Sequence, residues 1–113
     1  DRISISHRPV IVEKRTRFGD LEVGLIIEKN HNQIILTIKE RVSGVLKMKK
    51  VASKESAVVT IAMNNILEER SPYLHTITAD NGKEFAGDKE VAENLDIDYY
   101  FCTSILFLGE RFK

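Results

Sequence analysis

The side chains with the clearest capacity for chemistry are carboxylates near the middle of the chain. Asp80 follows an apolar run at 74–79 and precedes Asn81 and Gly82, a pair typical of a turn, with Glu84 close behind. Carboxylate oxygens are ligands that hard divalent cations prefer. In isolation, however, this tripeptide is more often a simple turn signal.

Basic side chains form the second candidate group, because they can bind phosphate. The net charge of the 113 residues is zero, but residues 1–54 carry a net +6 and residues 55–113 a net −6. Contacts from the basic half to a DNA backbone would be salt-sensitive and independent of base sequence. The alternative is an ordinary solvated edge that discourages strand pairing. The candidate DNA-binding residues are Arg8, Lys14, Arg15, Arg17, Lys47, Lys49 and Lys50.

Composition excludes several classes of protein. No apolar run approaches the ~18 residues of a membrane span, so we expect no membrane partner. A single cysteine, Cys102, rules out an internal disulfide framework and fits a reducing compartment. The histidines are scattered and no Cys/His cluster has zinc-binding spacing.

The elements that must position these residues follow from hydrophobic periodicity. Three β-rich runs separated by short turns come first, and a helical 3.6-residue period then begins at Ser53, which is a good N-cap. Two further strands alternate with a short helix, giving the order βββαβαβ. This order predicts an α/β fold, a mixed sheet with helices packed on it. The predicted strands are 20–29, 33–39, 45–51, 74–79 and 97–101, and the predicted helices are 53–69 and 88–95.

The run TITADNGKEFA at 76–86 resembles the second-aspartate motif, DNGxEF, of the integrase-like DDE transposases. The upstream run from Arg8-Pro9 to Glu22 resembles the approach to the first strand in insertion-sequence transposases of the IS-thirty type. The resemblance covers about residues 5–101, including the element order. It implies the ribonuclease-H-like fold that these enzymes share.

The resemblance also implies a function. Relatives of this type are mobile-element enzymes that cleave and transfer DNA strands in transposition, using Mg²⁺ or Mn²⁺ held by three acids. Their partners are DNA, namely transposon ends and target, and homo-oligomers are expected. It implies a bacterial cytoplasmic protein, nucleoid-associated if functional. Asp80 matches the second acid, with Asn81, Gly82, Glu84 and Phe85 as supporting motif residues.

The chain departs from the family pattern at the other two acids. The first aspartate aligns with Gly24, which offers no ligand atom, and the segment carrying the final glutamate is missing. We therefore expect an inactive enzyme that binds a divalent ion weakly or not at all. An alternative is a non-catalytic DNA-binding or self-associating module that retains only the fold. A third is an active nuclease that borrows Glu22 as a ligand, although Glu22 lies two residues, about 6.6 Å, from the family position.

The predicted organisation has three parts: a basic, irregular N-terminal arm or linker at 1–19, an incomplete core at 20–101, and an aberrant tail at 102–113. Codons can be chosen for residues Phe107–Phe112 such that the reading frame shifted by one base encodes Ser-Trp-Glu-Arg-Gly. This peptide resembles the missing family segment. The tail is therefore interpreted as frameshifted and the chain as truncated and degenerate. Nucleotide sequence tests this hypothesis.

Overall fold

A computed structural model describes residues 2–28, 30 and 32–103. Its centre is a sheet of five strands, β1 (Asp20–Glu28), β2 (Gln33–Glu40), β3 (Leu46–Val51), β4 (Thr76–Asp80) and β5 (Asp98–Cys102). Their spatial order is β3-β2-β1-β4-β5. The first three strands pair antiparallel, whereas β4 lies parallel to β1 and β5 parallel to β4. The predicted α/β class and the mixed sheet are confirmed.

Within the described residues, three α-helices accompany the sheet: α1 (Val10–Lys14), α2 (Ser56–Leu67) and α3 (Asp88–Leu95). Short 3₁₀ segments cover Ile5–His7, Glu68–Tyr73 and Lys83–Phe85. Glu55, and not the predicted Ser53, is the N-cap of α2. The Ser53 hydroxyl instead accepts the amide hydrogen of Glu55, which fixes the turn just before the helix.

One face of the sheet carries the hydrophobic core. Alternate residues of each strand point to this face because side chains in a strand alternate sides. Helices α2 and α3 contact each other and supply further core residues, including Val59, Met63 and Leu95. The core positions of the strands are Leu21, Val23, Leu36, Ile38, Ile77, Ala79, Tyr99 and Phe101.

The opposite face of β1 and β4 is polar, and the N-terminal segment packs on it. Val12 in α1 is only 1% exposed, and Arg8 donates a hydrogen bond to the Thr78 hydroxyl at 3.0 Å. Ile3 accepts the amide hydrogen of Phe101, beside a parallel bridge between Ser4 and Phe101. The sequence pattern did not predict α1 or the 3₁₀ segment before it, since five residues or fewer are too few to show a helical period.

Among the described residues, no helix is both long and apolar enough to cross a membrane. Cys102 ends β5, while residues 104–113, on which the frameshift hypothesis mainly depends, lie outside the described residues.

Candidate functional site

Asp80 lies at the carboxyl end of β4, where the chain enters a tight turn. Its Oδ1 accepts the amide hydrogen of Gly82 at 2.9 Å, so one carboxylate oxygen stabilises the turn. The motif residues Asn81 and Gly82 continue this turn, and Glu84 lies against it. A Cβ at position 82 would meet the carboxylate end of the Glu84 side chain, which lies directly against this residue. Glu84 thus packs on the turn, and Phe85, 2% exposed, anchors the segment in the core.

Gly24 occupies the position beside Asp80 on the neighbouring strand. The parallel register pairs Val23 with Ala79, so the next residues along each strand are Gly24 and Asp80. Neighbouring strands lie about 4.8 Å apart, so a side chain at position 24 would point beside that of Asp80. A Cβ there would lie 3.3 Å from Thr37 Oγ1, which donates a hydrogen bond to the Gly24 carbonyl oxygen, so the Thr37 side chain would have to shift by a few tenths of an ångström. Gly24 therefore supplies no carboxylate beside Asp80.

Glu22 lies two residues before Gly24 on β1, farther from the Asp80 turn, and its side chain is buried. It pairs in register with Thr78, not with Asp80. Its Oε1 accepts a hydrogen bond from Arg41 Nη1 at 2.9 Å, and the two side chains are 3% and 2% exposed. Arg41 Nε also donates to the carbonyl oxygen of Val12 at 3.2 Å. Burial lowers the pKa of Arg41, although the Glu22 carboxylate opposes that effect.

The divalent ions that the family resemblance implies need several oxygen ligands in one place. Within the described part of the chain, no group of three or more Asp, Glu, His or Cys side chains could hold a metal ion. One carboxylate oxygen of Asp80 already accepts the amide hydrogen of Gly82, and Gly24 has no side-chain oxygen. The charge of the Glu22 carboxylate is balanced by the Arg41 guanidinium. The described donor set does not fit a pair of ions.

The candidate DNA-binding residues of the N-terminal segment have different environments. Arg8 is buried, with its Nη2 2.6 Å from a Glu13 carboxylate oxygen, which removes it from the surface. Arg17 makes two hydrogen bonds to the buried Asp20 carboxylate, at 2.8 and 3.0 Å, and hydrogen bonding to Asp20 raises the pKa of Arg17. Lys14 is exposed and Arg15 half-buried.

The three β3 lysines do not share one face of the sheet. Lys47 and Lys49 pair with the core positions Ile38 and Leu36, so they point to the helix-bearing side. Lys50 points to the opposite side. Lys49 and Lys50 are exposed and Lys47 half-buried, on the outermost strand of the sheet.

Arg2 is a residue of the site that sequence reasoning missed. Its guanidinium donates to Asn81 Oδ1 at 2.6 Å and to the Gly82 carbonyl oxygen at 2.7 Å. It also lies 4.2 Å from the centroid of the Phe101 ring, in a cation–π contact. Arg2 and Asp80 therefore bind opposite ends of Gly82, its carbonyl and its amide. No sequence spacing signals a contact between residues this far apart.

Comparisons with known proteins agree with this geometry. The catalytic core domain of BIV integrase has a similar fold, with a TM-score of 0.65 at 14% identity, over 82% of this chain and 63% of that one. The fold is thus the ribonuclease-H-like integrase core. The transposase for insertion sequence element IS4351 of Bacteroides fragilis is 46% identical over 101 residues, 89% of this chain. The probable transposase for insertion-like sequence element IS1161 of Streptococcus salivarius is 35% identical over 102 residues.

These relatives confirm the resemblance to DDE transposases that the motifs indicated. The chain spans 31% and 28% of the length of the two relatives, so it corresponds to about one third of such a protein. No family model matches the chain.

Proposed function

We propose that this chain is an integrase-core module of an insertion-sequence transposase that has lost strand-transfer activity. The observation that carries the proposal is the parallel register of β1 and β4, whose last pair, Val23 and Ala79, is followed by Gly24 on one strand and Asp80 on the other. In intact relatives the resemblance implies an aspartate at the position of Gly24. Here the described site supplies one of the three acids that the resemblance implies.

Physical chemistry explains why one carboxylate is insufficient. Paired divalent ions about 4 Å apart stabilise both the attacking and the leaving oxygen in phosphoryl transfer, and shared carboxylates hold them there. Asp80 alone should bind Mg²⁺ or Mn²⁺ weakly. Glu22 does not replace the carboxylate that is missing at position 24. If its side chain moved toward Asp80, the Arg41 guanidinium would stay buried without its carboxylate partner, which is energetically costly.

Nicking of supercoiled plasmid tests the loss of activity. We expect wild-type protein in Mg²⁺ or Mn²⁺ to nick no faster than Asp80→Asn, which is nearly isosteric and removes the one remaining acid. Metal-dependent nicking by the wild type that Asp80→Asn abolishes would contradict the proposal. If Glu22→Gln also abolished such nicking, an active nuclease using Glu22 would replace it.

A second candidate function, non-catalytic DNA binding in the bacterial cytoplasm, is favoured by the exposed lysines of the basic half. Three of these lysines are exposed to solvent: Lys14 on α1, and Lys49 and Lys50 on β3. Arg8, in contrast, is buried and cannot contact DNA at the surface. Each phosphate contact should contribute about −0.9 to the slope of log affinity against log salt. Self-association is the other non-catalytic role, and sedimentation of the same protein tests it.

Fluorescence anisotropy with a random-sequence duplex measures the DNA-binding role. We expect binding at low salt without added metal, and a shallower salt slope for Lys49→Gln/Lys50→Gln. Lys89→Gln, an exposed lysine of the acidic half, is the matched control and should leave the slope unchanged. Absence of duplex binding at low salt, or equal slopes for both variants, would contradict this function.

A further inference from the structure

A cavity of about 340 Å³ lies on the helix-bearing side of the sheet, beside the start of β1 and away from Asp80. Its apolar floor comprises Leu21, Ile38, Leu67 and Leu74. This volume falls at the lower end of the range, about 300–1,000 Å³, found for small-ligand sites. A cavity this size suits one flat ring system.

Two exposed aromatic rings line the mouth of this cavity. Phe18 is 66% exposed and Tyr73 is 75% exposed, unusual values for such large apolar side chains. Their backbones are held together at Gly19, whose carbonyl oxygen accepts the amide hydrogen of His75 at 2.7 Å. Gly19 has φ +103°, and a Cβ there would collide with the Tyr73 carbonyl oxygen. The backbone segments that carry the two rings are therefore held against each other.

The charge at the cavity favours an anion. Glu40 is the only acid among its lining residues in the described structure, and its carboxylate accepts amide hydrogens from Gly19, Val42 and Ser43. Within the described part of the chain, Lys47 and Arg70 form no ion pair. The two cations remain available to a ligand.

We propose that this cavity binds an unstacked nucleobase together with its phosphate, either from single-stranded DNA or as a free nucleotide. Aromatic rings stack on any base, and cations beside them bind the backbone. The apolar floor offers no hydrogen-bond pattern for reading base identity, so binding is independent of base. This inference rests on the proposed relation to DNA-acting transposases, but not on activity at Asp80.

Anisotropy with labelled oligo-dT and with an abasic oligonucleotide of equal length tests the site, because the two probes share phosphates and differ in bases. We expect wild-type protein to bind oligo-dT about tenfold more tightly, the size of one stacking contact. Tyr73→Ala should remove the preference and Tyr73→Phe should retain it. Met48→Ala, which removes an exposed apolar side chain that does not line this cavity, should leave the preference unchanged.

The outcomes separate the possible ligands and the two proposals. If free dTMP competes with oligo-dT and this competition requires Tyr73, the cavity binds nucleotides. If dTMP does not compete but the protein still prefers oligo-dT to the abasic oligonucleotide, the cavity binds bases only within single-stranded DNA. Equal binding of the two oligonucleotides, or a preference that survives Phe18→Ala/Tyr73→Ala, would overturn the proposed site. Duplex binding through Lys49 and Lys50, which do not line the cavity, is measured separately and does not depend on Tyr73, so the two proposals fail independently.

Discussion

Glu22 and Arg41 form a buried ion pair on the polar face of the sheet, with 2.9 Å between Oε1 and Nη1. Arg41→Met should lower the free energy of unfolding by about 3–5 kcal/mol, because the Glu22 carboxylate would stay buried without its guanidinium. Chemical denaturation measures this change. Lys54→Met, at an exposed position, is the control and should shift stability by less than about 0.5 kcal/mol. A loss below about 1 kcal/mol for Arg41→Met would contradict the assigned role.

Arg2 should hold the turn that carries Asp80. Arg2→Ala removes two hydrogen bonds and a cation–π contact, so we expect a loss of about 1–3 kcal/mol. Arg2→Lys should recover only part of it, since an ammonium cannot form the same planar fork. Hydrogen exchange should show faster exchange at the Gly82 amide in Arg2→Ala. Unchanged exchange there would indicate that the turn is stable without Arg2.

Gly19 and Gly44 form a matched pair for testing close backbone approach. Both have positive φ, but a Cβ at Gly44 would meet no atom within 4 Å, whereas at Gly19 it would collide with Tyr73. Gly44→Ala should therefore cost about 1 kcal/mol of strain, and Gly19→Ala clearly more. Thermal unfolding of the two variants gives the comparison. Equal destabilisation would argue against the tight packing of Gly19 on Tyr73.

Glu40 should make stability depend on pH. Burial opposes its ionisation, but amide donors from Ser43, Val42 and Gly19 outweigh burial and lower the pKa of Glu40. When folding lowers the pKa of a carboxyl, the group stabilises the protein at any pH above its unfolded-state pKa, about 4.3 for Glu. This stabilisation is lost as the pH falls through the lower pKa of the folded state. Between about pH 6 and pH 3, Glu40→Gln should therefore lose less Tm than the wild type. Equal losses would contradict this assignment.

Much of the fold could be predicted from hydrophobic periodicity. The strands and the helices α2 and α3 each present an alternating or helical pattern long enough to recognise, and their order is sufficient to define a mixed sheet. Helix α1 could not be predicted, because its five residues show no period and it is fixed by tertiary contacts such as that of Val12. The N-cap of α2 lies two residues after the predicted Ser53, at Glu55, because Ser53 stabilises the preceding turn instead.

The site could be predicted only where it is local in sequence. The motif at Asp80 and the glycine at position 24 were recognisable because each lies within a continuous run of the chain. Arg2 and Arg41 were missed because their partners lie 79 and 19 residues away, and nothing in the sequence pairs them. Burial of Arg8 was missed for the same reason, since Thr78 is 70 residues distant.

The most direct test of the central claim is calorimetric titration of Mn²⁺ into wild type, Gly24→Asp and Gly24→Ala. An aspartate at position 24 would place a second carboxylate beside Asp80, while alanine adds the Cβ without the charge. We expect Gly24→Asp to bind at least about tenfold more tightly than the other two, and Asp80→Asn to abolish the gain. Wild-type binding that matches Gly24→Asp and depends on Asp80 would contradict the claim that the ion site is lost.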